Sequence, residues 1–83
     1  MTAMSELLKS HPQKPTHHFD EITACIEACF ECEQACVGCA DACLAEQRVA
    51  ELRECIRYNL DCADLCAATG RLIARQARPD PSL

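Results

Sequence analysis

The sequence predicts an all-α chain folded as an antiparallel helical hairpin, and three observations carry that prediction. Six cysteines between positions 25 and 43 recur at intervals of four and three residues. A second set, Cys55, Cys62 and Cys66, continues the same period more sparsely. Between Thr16 and Ala77 the chain holds no proline and two glycines, Gly38 and Gly70, so little interrupts helix over that span.

The elements follow in order. Residues 1–15 read as a flexible N-terminal arm with one helical turn around Ser5–Lys9, because Pro12 and Pro15 interrupt anything longer. Residues 16–78 read as the Cys-rich hairpin: a helix from about Thr16 to Glu46, a turn at the polar Glu46-Gln47-Arg48, and a second helix over roughly Val49–Ala77. Gly70 is expected to weaken the last turns of that helix by about 1 kcal/mol relative to Ala. Pro79 and Pro81 end the helix and leave 79–83 as a C-terminal tail.

The period of the cysteines is informative. Cys25, Cys29, Cys32, Cys36, Cys39 and Cys43 alternate steps of four and three, the seam of a 3.5-residue repeat. All six sulfurs therefore share one helix face, spread over ~27 Å at 1.5 Å per residue. Ala28, Ala35 and Ala42 flank that seam on one side, Ile26 and Ala40 on the other, while Glu27, Glu31, Gln34 and Asp41 lie opposite. The second helix repeats the register through Leu52, Cys55, Asn59, Cys62, Cys66, Thr69 and Ile73. Folding back near Arg48 brings Cys43 level with Cys55, Cys39 with Asn59, Cys36 with Cys62, and Cys32 with Cys66. The two thiol stripes then face each other as a buried seam. Ile26, Phe30, Val37, Leu44, Ile56, Leu60, Leu65 and Leu72 need more cover than one partner helix gives. Self-association follows, as a homodimer or higher homo-oligomer, with two hairpins completing a four-helix bundle.

Composition narrows the function classes. The 83 residues supply one domain with three aromatic residues, Phe19, Phe30 and Tyr58, and a core this thin needs disulfides, metal or a partner chain. A net charge of −5 without a basic stripe argues against nucleic acid. The start has no secretory pattern and no segment spans a bilayer, which points to a reducing cytoplasm. Nine cysteines, an odd number, leave at least one thiol outside any intramolecular disulfide scheme. Nothing pairs an activated nucleophile with a base, so no enzymatic activity is expected.

Spacing then selects the chemistry. Cysteines at i and i+4 sit with Cβ atoms ~5–6 Å apart, close enough for two thiolates to approach one ion. Cys25/Cys29, Cys32/Cys36, Cys39/Cys43 and Cys62/Cys66 are such pairs. Soft thiolates select Cu(I), zinc or iron–sulfur clusters, and a rail of paired thiols suits Cu(I), which accepts two or three sulfurs. Structural zinc prefers four ligands on turns, and iron–sulfur clusters prefer wrapping loops. All nine cysteines, Cys25, Cys29, Cys32, Cys36, Cys39, Cys43, Cys55, Cys62 and Cys66, are candidate ligands. At about two thiolates per ion the chain would hold roughly four ions. A redox-responsive thiol protein and a zinc-binding helical interaction module are the competing readings. Cysteines that merely pack are a third, weakened because Leu or Ile would fill six seam positions better. His17 and His18 read as exposed residues near a helix start, with metal guidance as the alternative.

The run CIEACFECEQACVGCADAC, followed by Cys55-x6-Cys62-x3-Cys66, resembles the bacterial copper storage proteins. The match covers roughly Thr16 to Gln76, and its stacked C-x3-C spacing is highly specific. The resemblance implies a Cys-rich four-helix bundle that holds several Cu(I) ions on its cysteines, for storage or detoxification. It carries over onto the nine seam cysteines, and the lack of an export leader resembles the cytosolic branch. One departure stands: family members carry a second Cys-rich hairpin in the same chain. Either two chains supply the four helices, or the chain is a truncated form with reduced capacity.

Overall fold

The computed structural model describes residues 2–77, and among these every regular element is helical. Helix α1 spans Ala3–Ser10, α2 Phe19–Leu44 and α3 Arg53–Ala74, with a 3-10 turn at Val49–Leu52 leading into α3. Residue 78, the last assigned to the hairpin, and the expected tail 79–83 lie outside the described residues.

Where the sequence predicts a single turn in the arm, the chain forms two. Thr2 caps α1 with a reciprocal box: its hydroxyl accepts from the Ser5 N–H at 3.1 Å, and the Ser5 hydroxyl oxygen accepts from the Thr2 N–H at 3.1 Å. A short helix is marginal alone, and tertiary contacts hold this one. Leu8 is buried, and the Thr2 hydroxyl donates to the Glu27 carboxylate of α2 at 2.9 Å. The helix ends at Ser10, just before Pro12.

α2 begins three residues later than Thr16, because His18 adopts φ 57 in the left-handed region and cannot continue a right-handed helix. The chain turns at 45–48, within a residue of the expected Glu46-Gln47-Arg48. The Ala45 N–H donates to the carbonyls of Asp41 and Ala42, closing the last turn of α2.

α2 and α3 pack along each other in reversed order. Cys43 stands beside Cys55 near the turn, Cys36 beside Cys62 midway, and Cys29 beside Gly70 toward the far end. Ile26, Ala40, Ala63 and Gly70, one flank of each helix, are buried. The sequence groups Ile26 with residues that need further cover, yet it is fully buried, because its flank faces inward. Phe30, Val37, Leu44, Leu60, Leu65 and Leu72 remain exposed. The molecule measures 54 × 33 × 15 Å.

Candidate metal centre

Residues one turn apart on α2 and a counterpart on α3 bring sulfurs together from both helices. Cys32 Sγ lies 4.0 Å from Cys36 Sγ on its own helix and 3.9 Å from Cys62 Sγ on α3. The three sulfurs lie within 4.8 Å of one another. A point equidistant from sulfurs so spaced is about 2.3–2.5 Å from each, close to a metal–thiolate bond length. Among the described residues, this trio is the group of three or more ligating side chains with that mutual proximity.

The other candidates arrange themselves around the trio. Cys66 stands next to Cys32 and Cys62 without joining the trio's mutual spacing. Cys29 neighbours Cys25 at one end, and Cys43 neighbours Cys39 and Cys55 at the other. Asn59 donates to Cys55 Sγ at 3.7 Å. All nine thiols are free. His17 and His18 are exposed and line a cleft with Lys14, Ile22 and Gln76 at the chain-entry end of α2, apart from the trio. Near the turn, Cys39 and Cys43 border a cleft of about 630 Å³ shared with Gln47, Arg48 and Glu51.

The thiols perturb one another. Hydrogen bonds from the Cys66 and Cys62 thiols stabilise a Cys32 thiolate and hold Cys32 below the ordinary value of 9.0. The neighbours move the other way. Cys66 is pushed up to about 12, first by its hydrogen bond to Cys32 and then by burial. Cys36 rises to about 11, first through its bond with Cys62 and then through burial. Burial raises Cys29, with Cys25 adding to it, and burial raises Cys43, with Cys55 and Cys39 adding to it. Within the cluster Cys32 therefore gives up its proton more readily than Cys36 or Cys66.

The seam differs from its sequence expectation in one respect. In a single chain it is not enclosed: Cys25, Cys39 and Cys55 are exposed and the other six half-buried. Two helices form one layer, and one layer covers a thiol face from behind only. Sequence reasoning also missed Gly70 as a contributor. A Cβ there would stand 3.2 Å from Cys29 Cβ, so its missing side chain lets α3 approach α2 beside the thiols. The signal was its place in the flank of Ala63, the same side of α3.

A chain whose sulfurs are gathered this way has close relatives. The copper storage protein family profile matches residues 18–83. The chain belongs to the copper storage protein family. Its fold is also similar to the copper storage protein Ccsp from Streptomyces lividans, a structure loaded with 10 copper equivalents. The TM-score is 0.85 at 41% sequence identity, over 95% of this chain and 61% of that one. The chain thus spans about three fifths of the relative's length. No curated protein matches it. Among the described residues no helix is long and apolar enough to cross a membrane.

Proposed function

We propose that the chain stores or sequesters several Cu(I) ions on its cysteine thiolates. The observation that carries this reading is the trio Cys32, Cys36 and Cys62, three free sulfurs from two helices within 4.8 Å of one another. Cu(I) takes two or three soft ligands, and the trio supplies them without a fourth. Cys25, Cys29, Cys39, Cys43, Cys55 and Cys66 extend the same rail in both directions and serve as further ligands. Cu(I) is cargo here, and the chain has no catalytic turnover. Thiols kept for binding metal suit a reducing compartment, and this reading assigns the chain to the cytoplasm.

In this reading the α2–α3 unit is an antiparallel hairpin with a Cys-lined seam that completes a four-helix bundle by self-association. Uptake runs by proton displacement: protonated thiols pack in the metal-free protein, and each Cu(I) that binds replaces their protons. The stripe then fills without unfolding the helices that carry it.

Anaerobic titration of the reduced protein with Cu(I) against a competing chelator tests the proposal. Several ions bound per chain, with retained helical circular dichroism, is the expected result. Binding of one zinc ion in preference to Cu(I), or loss of two mass units per bridge on mild oxidation with no Cu(I) uptake, would replace it with the zinc or redox reading.

A further inference from the structure

The open thiol face has two unlike borders. Along its α3 side run Tyr58, Leu65 and Leu72, exposed at 67%, 70% and 62%. Along its α2 side run Ala28, Ala35 and Ala42, also exposed. Each set repeats at seven residues, so each forms a straight ridge beside a 3.5-residue seam. The pairings of Cys43 with Cys55 and of Cys36 with Cys62 fix the levels of the two ridges. Ala42 lies within about half a turn of Tyr58 along the axis, Ala35 of Leu65, and Ala28 of Leu72. Helix α1 lies toward the other side of the pair, where Met4 and Leu7 line a groove with Phe30, Ala67 and Ala74 that also reaches Cys66.

The surface left uncovered is large. The chain exposes 6447 Å², about 1,500 Å² more than the ~4,900 Å² of a compact monomer of 9.2 kDa. A stable interface removes about 800 Å² per partner, so the excess is enough for one.

We infer that a second copy of this chain closes the thiol face through a twofold axis parallel to the helices, seating Tyr58, Leu65 and Leu72 of each copy on Ala42, Ala35 and Ala28 of the other. The inference rests on the proposed self-association and adds which surfaces meet. Half a rotation about that axis keeps every residue at its own level and lays α3 of one copy over α2 of the other. Large side chains then meet small ones in three rungs, on both sides of the seam. A twofold axis across the helices would instead stack α3 on α3, pressing large ridge on large and leaving a void between the alanines. Closure about the parallel axis brings the sulfurs of both copies, including the exposed Cys25, Cys39 and Cys55, into one shared core. The metal site is then built by two chains, and one chain alone supplies an open half.

Sedimentation equilibrium of the reduced full chain, metal-free and Cu(I)-loaded, tests this with Ala35→Leu, Leu65→Ala and the double variant. The wild type is expected at twice the 9.2 kDa chain mass or a multiple of it. Each single variant should raise the dissociation constant about tenfold or more, and the double variant should recover most of that loss. Ala28→Leu with Leu72→Ala repeats the cycle at a second rung, and helical circular dichroism confirms that each variant folds. Two results overturn the pairing while leaving self-association standing: a tighter assembly from Ala35→Leu, or single variants that change nothing at either rung. A wild-type monomer in both metal states overturns both.

Discussion

Gly70 on α3 sits directly against Cys29 on α2, so closely that a Cβ added at Gly70 would stand 3.2 Å from Cys29 Cβ. The glycine costs helix stability locally and repays it by letting two helices approach where sulfurs must converge. Gly70→Ala therefore sets two effects against each other. Ala gains about 1 kcal/mol of helix propensity, and the close contact takes a similar amount back. The expected net change in urea unfolding is within about 1 kcal/mol. Gly70→Leu has no such balance and should destabilise by about 1–3 kcal/mol, with loss of Cu(I) affinity at the Cys29–Cys66 end.

Cys32 touches sulfurs on both helices, whereas Cys25 is exposed at the end of the stripe. Cys32→Ala should lower Cu(I) affinity for the tightest ion about tenfold or more, since it removes the ligand shared by Cys36 and Cys62. Cys25→Ala should leave that ion in place and reduce only the total loaded. Chelator competition on the two variants separates the effects, and equal losses would show that the trio has no priority.

Copper uptake should weaken as pH falls. Cys36 and Cys66 are raised to about 11 and about 12, so both are protonated at neutral pH and must lose protons to bind. Each such thiol in the coordination shell makes the apparent affinity fall about tenfold per pH unit on acidification. Competition titrations between pH 6 and 8 measure the slope.

The metal-free fold carries the opposite dependence at high pH. A thiol that holds its proton more tightly when folded than when unfolded stabilises the fold below its unfolded value. Cys36 and Cys66 therefore stabilise it fully below the ordinary thiol value of 9.0 and lose that effect as pH rises through about 11 and 12. Urea midpoints of the reduced, metal-free protein should drop between pH 9 and 12, as these two thiols lose their protons. Serine at both positions should flatten part of that drop.

At the N-terminus, Thr2 accepts the Ser5 N–H and also reaches Glu27. Thr2→Ala should cost about 1 kcal/mol, which is about fivefold faster amide exchange across α1. Exchange in α2 and α3 should not change, because the stripe does not depend on the cap.

Much of this architecture was legible in residue spacing. Alternate steps of four and three place sulfurs on one face of any α-helix, because helix geometry is local and repeats. A short polar break then sets which levels meet, and Cys36 with Cys62 and Cys43 with Cys55 are the levels at which the thiols stand together. The eight-residue length of α1 was not legible, since Pro12 and Pro15 suggest a broken arm and only contact with α2 sustains the helix.

The periodic pattern by itself determined that this protein is helical and that its thiols form a stripe on each long helix. Which flank of the stripe turns inward was settled only in three dimensions. Ile26 and Phe30 are both apolar and one turn apart, yet Ile26 is fully buried and Phe30 is exposed. Hydropathy ranks such residues alike, whereas burial depends on the rotation of each helix about its own axis. That rotation is decided by fit between surfaces: Ala40, Ala63 and Gly70 are small enough to let the backbones close, and the bulkier Tyr58, Leu65 and Leu72 are left facing out.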